Sequence, residues 1–228
     1  MRNYLLELIT RINTRDEKFT NSTETTRWKA LREAETLTDP ALFPILQEII
    51  EENEGKKKEK QEIRNAAYFI FGRLMQKSFS QDACAFFLKR LEIETDKVVL
   101  CQMLDRVRSW WQEAGITMPA SLDISPILTL AKSDDYEVRN AAIKALRACP
   151  RKESRDALAY YLTLACYLTT QKNAELLEYA IYYTNLTMCD IGESEDIPLL
   201  ERLLKSNNLD IRGTAKSAIR CIKERNGL

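Results

Sequence analysis

An all-α chain, built as a tandem of about six stacked helical hairpins, is predicted by three observations. Turn residues are scarce: six glycines and six prolines in 228 residues, too few for sandwiches or barrels that turn every ten or so positions. A short motif recurs: Ile63-Arg64-Asn65-Ala66-Ala67 returns as Val138-Arg139-Asn140-Ala141-Ala142 and, loosened, as Ile211-Arg212-Gly213-Thr214-Ala215, at separations of 75 and 73 residues. Midway between these copies the apolar spacing persists. Val99, Met103, Val107 and Trp110 repeat the positions of Val138, Ala142, Leu146 and Cys149, and Leu176, Ala180, Thr184 and Thr187 do so more weakly. The true period is therefore about 37 residues, with Thr26-Arg27 and Ala30 as an upstream copy, and six such units fill the chain.

Each unit divides into a first and a second helix. First helices are expected near 2–14, 40–53, 80–93, 123–132, 152–169 and 194–206. Second helices are expected near 23–36, 61–77, 97–113, 135–149, 173–188 and 209–225. Asp39, Ser80, Asp123, Asn173 and Ser194 precede these segments and have the short polar side chains that accept hydrogen bonds from first-turn amides. Pro40, Pro44, Pro126 and Pro198 fall early in first helices, where a missing N–H costs little. Gly55 with Lys56-Lys57-Lys58-Glu59-Lys60 reads as an exposed turn, and Gly115 to Pro119 and Cys149-Pro150 as helix ends. The units run approximately 1–38, 39–78, 79–115, 120–150, 151–190 and 191–228, as a single domain. A lone hairpin cannot cover its apolar stripe, so neighbouring pairs share one continuous core.

The second-helix motif, an aliphatic residue followed by Arg and then small residues, resembles that of the HEAT-repeat family of armadillo-like solenoids. The polar residues before it fit the resemblance as well: Ser133-Asp134-Asp135-Tyr136-Glu137 and Asn207-Asn208-Leu209-Asp210. The family implies a right-handed superhelical α–α solenoid with second helices lining a concave side. It also implies a structural ladder in which Arg64, Arg139 and Arg212 join turn aspartates between neighbouring units. The motif is partial at Thr26-Arg27. It lacks its Arg in units three and five, where Leu100 and Leu177 stand, so the ladder is expected to break there.

Helical periodicity then sorts the faces. If the residue that opens the motif is buried, so are those three, four, seven, eight and eleven further on. Positions two, six and nine further on point to the groove. These rows contain the candidate partner-binding residues Trp28, Arg32, Phe69, Asp105, Arg108, Lys144, Arg147, Glu178, Tyr182 and Arg220, with Gly72 and Asn185 also in register. Exposed rings beside arginines compose a protein-binding surface; a slip of one residue in register would instead make the rings core. Six of the nine tyrosines (Tyr160, Tyr161, Tyr167, Tyr179, Tyr182 and Tyr183) fall in unit five, which lacks the motif Arg.

Composition excludes much chemistry. There is no histidine, hence no imidazole acid–base catalysis or His-ligated metal. Six cysteines (Cys84, Cys101, Cys149, Cys166, Cys189 and Cys221) are no closer than 17 residues, and read as reduced small hydrophobes. No cofactor, metal or catalytic residue is expected. Thirty-four basic and thirty-four acidic residues cancel, although the last helix is basic and the region of Asp39 to Glu54 acidic. No apolar run is long enough to span a bilayer, and no secretory leader is evident, so a cytoplasmic protein is expected.

The expectation is a non-catalytic scaffold that binds a protein or peptide in its concave groove. The alternative is a nucleic-acid-binding protein. Compact HEAT-like alkylpurine DNA glycosylases use a concave Asp with aromatic and Arg neighbours, and Asp105, Arg106, Arg108, Trp110 and Trp111 would be the counterparts here. These residues follow one another on one helix, so Asp105 and Trp110 point to different faces.

Overall fold

A computed structural model describes residues 1–16, 21–165 and 174–228, which fall into two compact units, Met1–Ile116 and Thr117–Leu228. Among the described residues there are helices and no strand. Cys166, Tyr167 and the cap expected at Asn173 lie outside them, as does the side chain of Leu176.

The first unit holds α1 (Arg2–Asn13), α2 (Thr26–Ala34), α3 (Leu42–Glu52), α4 (Lys58–Lys77), α5 (Gln81–Ile93) and α6 (Lys97–Ala114). The second holds α7 (Ser125–Leu130), α8 (Tyr136–Ala145), α9 (Lys152–Ala165), α10 (Ala174–Ile191), α11 (Ile197–Leu203) and α12 (Leu209–Asn226). Most ends fall within about three residues of the expected limits, and α8 passes at Leu146 into a tighter turn that runs to Ala148.

Local chemistry sets the boundaries. Ser80 Oγ accepts from Ala83 N at 3.3 Å to start α5, and Asp96 Oδ1 from Val99 N at 2.9 Å to start α6. Asp135 and Asn208 do the same for α8 and α12, each accepting from two amides. Asp123 accepts from Ser125 N, the first amide of α7, and Asp39 from Ala41 N just ahead of α3. Gly115 ends α6 with φ +65°, a left-handed conformation that side chains resist. The lysine run differs from expectation, since α4 already begins at Lys58. Lys60 there donates to the carbonyls of Glu52 (3.3 Å) and Glu54 (3.2 Å), oxygens that the end of α3 leaves without helical partners.

Within the first unit, α4 packs against α3, α1 and α6. Its core is aromatic: Phe71 meets Phe43 at 4.9 Å and Phe87 at 5.5 Å, and Phe87 in turn meets Trp110 at 5.1 Å. In the second unit α10 packs on α8, α9 and α12 around Leu146, Leu158, Leu162, Ile181, Met188, Leu200 and Ile222, all fully buried.

The cysteines correct the sequence reading at one pair. Cys189 of α10 and Cys221 of α12 are joined by a disulfide, with Cα atoms 5.3 Å apart. They stand 32 residues apart in the chain, close to one repeat period, and stacking sets such residues side by side. Cys84 and Cys149 are buried and Cys101 half-buried, none of them in a disulfide.

Candidate partner-binding surface

The motif arginines come first, because they position the helices that carry the surface. Arg64, 3% exposed, donates through Nε (2.9 Å) and Nη2 (2.8 Å) to the two carboxylate oxygens of Glu94, at the end of α5. Its Nη1 reaches the carbonyls of Asn53 (2.7 Å) and Gly55 (2.8 Å) in the turn before α4. Burial pushes the Glu94 carboxyl up, but Arg64 and the amides of Asp96 and Thr95 hold it below the usual carboxylate range. Arg139 reaches the carbonyls of Ser133 (2.8 Å) and Asp134 (3.4 Å), and Arg212 that of Ser206. In each case the guanidinium satisfies carbonyls of its own inter-helix turn.

In the first unit the predicted surface residues sit on α2, α4 and α6. Trp28 is 38% exposed, and the Arg32 guanidinium lies 5.7 Å from its ring centre while bonding Glu35 at 2.7 Å. Phe69, half-buried, lies between two guanidiniums: Arg73 at 5.6 Å and Arg106 at 5.3 Å from its ring centre. Arg73 is braced by Glu35 (3.2 Å) and Glu113 (2.5 Å). Asp105 and Arg108, both half-buried, pair at 3.5 Å. Trp110 is fully buried and donates its indole N–H to the Gly72 carbonyl at 3.0 Å, so it offers no face to a base.

In the second unit Lys144 Nζ lies 5.1 Å from the centre of the Tyr183 ring, and Tyr183 packs edge-on against Tyr182 at 5.3 Å. Glu178, Tyr179, Tyr182 and Tyr183 line a cavity of about 390 Å³ with Asn208, Asp210 and Ile211. Asn208 donates to Glu178 Oε2 at 3.1 Å. Arg147 forms an ion pair with Asp190 at 2.9 Å, whose carboxyl is pushed up by burial despite Arg147 and Arg225. Arg220 is exposed and pairs with Glu224 at 3.8 Å.

The predicted faces need two corrections. Gly72 and Asn185, expected in the groove, are buried; Asn185 spends its amide N–H groups on the Ile211 carbonyl and the Thr214 hydroxyl. Conversely, the position seven beyond the motif opener is sealed at Ile70, Ala145 and Ala218 but half-exposed at Arg106 and Tyr183. Arg106 and Tyr183 belong to the two units that lack the motif Arg, and both join the surface clusters. Their polarity at an apolar position was the available signal.

No family model matches the sequence, and no curated protein matches it. Solved structures do. A designed armadillo repeat protein in complex with peptide (KR)4 aligns over 96% of this chain and 99% of its own at 16% identity, with a TM-score of 0.50. An engineered protein from a structural-genomics effort aligns over 96% of this chain and 98% of its own at 15% identity, with a TM-score of 0.51. This chain has an armadillo/HEAT-like repeat fold. It is an all-α solenoid fold, and in armadillo/HEAT-like terms the residues above stand on the second helices of successive hairpins. Among the described residues, no helix is long and apolar enough to cross a membrane.

Proposed function

We propose that this chain is a non-catalytic interaction module. It holds a protein or peptide along the second helices of its hairpins, the concave side of a single six-unit HEAT-like domain working in the cytoplasm. The observation that carries the reading is the set of half-exposed rings, each held in place by a charged neighbour. Phe69 lies between Arg73 and Arg106 in one unit, and in the other Tyr183 lies under Lys144 with Tyr182 packed edge-on against it. Rings fixed in this way lose little side-chain freedom on docking and exclude water from the polar contacts around them. The designed armadillo protein with its (KR)4 peptide supports an extended peptide as the kind of ligand such a fold accepts.

The test is selection of peptides from a random dodecapeptide library displayed on phage against the intact protein. Selected peptides are expected to lose about tenfold or more in affinity, roughly 1.4 kcal/mol, on Phe69→Ala or Tyr182→Ala, with circular dichroism unchanged. Failure to select any peptide, together with tight binding of a short DNA duplex that falls steeply with salt, would replace this reading by nucleic-acid binding.

A further inference from the structure

Arg106 stands apart from the other charged residues of the first unit's surface. Arg32 forms an ion pair with Glu35, Arg73 with Glu35 and Glu113, and Arg108 with Asp105. Arg106 makes no ion pair with a carboxylate among the described residues, and its guanidinium is held over the Phe69 ring. It is half-buried, and the environment on balance opposes its charge: burial first and the neighbouring Arg73 next draw its pKa below the ordinary arginine value, with Asp105 and Glu113 pulling the other way. Stripping water from a cation without supplying an anion is unfavourable. The motif arginines Arg64, Arg139 and Arg212, by contrast, all spend guanidinium N–H groups on protein oxygens.

The side chain is nevertheless seated rather than loose. Gly72 of α4 faces it, and a Cβ there would lie 2.8 Å from Arg106 Cγ and 2.9 Å from Cδ. A glycine in mid-helix costs roughly 1 kcal/mol relative to alanine. Here it leaves a notch that the arginine stem fills, at the residue whose carbonyl Trp110 anchors. The notch, the ring and the lone guanidinium form one assembly whose remaining need is an anion on the outward side.

We infer that Arg106, on the Phe69 ring and in the Gly72 notch, is the subsite for an acidic side chain (Asp or Glu) of the partner peptide. The inference rests on the peptide-binding reading above and adds the class of residue that this unit selects. Arg106 offers two parallel N–H groups to a carboxylate, which binds them side by side, while the apolar stem of the acid lies against Phe69. Charge complementarity fixes register more than it adds affinity, so one acid at a fixed position is expected, with no general preference for acidic sequence.

The same dodecapeptide selection tests this with a double-mutant cycle. Peptides selected on the native protein should share an Asp or Glu, whose replacement by Asn or Gln weakens binding about tenfold. In Arg106→Gln, which keeps most of the stem in the notch, that replacement should change affinity less than about twofold. Arg106→Lys, which keeps the charge without the fork, should retain part of the effect, and Gly72→Ala should reduce it by displacing the stem. If the selected peptides share no acid, or the acid matters equally in native and Arg106→Gln proteins, the subsite is overturned while the interaction module stands. If nothing is selected, the module falls and the subsite with it.

Discussion

At the scale of single residues, the Arg64–Glu94 pair is the most consequential interaction in the first unit. Both side chains are almost fully buried, so removing one strands the other's charge. Arg64→Met is expected to lower unfolding free energy by about 3–5 kcal/mol, while Arg64→Met with Glu94→Leu should recover most of it; denaturant midpoints measure both. The pair also sets an acid limit. The Glu94 carboxyl is held below its ordinary range when folded, so its stabilisation is complete above that range and fades as pH falls through it toward the folded value. Midpoints measured from about pH 6 to about pH 3 should decline, and this part of the decline should vanish in the double variant. The expected partner of Arg64 was an aspartate in a neighbouring unit's turn; the residue that takes the place is a glutamate, Glu94, in the turn after α5, 30 residues away.

At the scale of elements, helices were legible because spacing and capping residues are local properties. Val138, Ala141, Ala142, Ala145, Leu146 and Cys149 are all buried as their periodicity requires. The faces were less legible, because Arg106 and Tyr183 occupy positions that the period assigns to core. Which way a helix turns its ambiguous side is settled by its neighbour, as Gly72 does for Arg106, and a neighbour one period away leaves no trace in a local window. The α10–α12 disulfide escaped for the same reason: cysteine motifs are sought at short spacing, whereas stacking brings together residues about one period apart. Cys189→Ser is expected to reduce stability by about 2–4 kcal/mol in oxidised protein and by little after reduction, read from melting curves with and without reductant. Alkylation of unreduced protein should correspondingly label neither Cys189 nor Cys221 by mass spectrometry.

At the scale of the molecule, the repeat was the strongest signal, since self-similarity is summed over many residues and survives the erosion of single copies. The candidate surface was legible as rows, and Trp28, Arg32, Phe69, Lys144 and Tyr182 lie at least partly open to solvent, but which rings and charges would meet required coordinates. Repeat proteins distribute stability between each unit and its immediate neighbours. Loss of the Cys189–Cys221 link should therefore raise amide hydrogen exchange in α10 and α12 and leave α1 to α4 unchanged. Equal loss of protection along the whole chain would mean that the protein opens as one cooperative block.

The arginines of the inter-helix turns carry a broader implication. Arg64, Arg139 and Arg212 grip main-chain oxygens, which every amino acid supplies. Such a clasp is indifferent to the side chains of the loop it closes and sensitive only to its path. Those loops are free to vary outside the capping Asp135 and Asn208 and Gly55, whose φ of +112° side chains resist, so grafted recognition sequences that keep these residues and the loop length should be accepted there without disturbing the joints between helices.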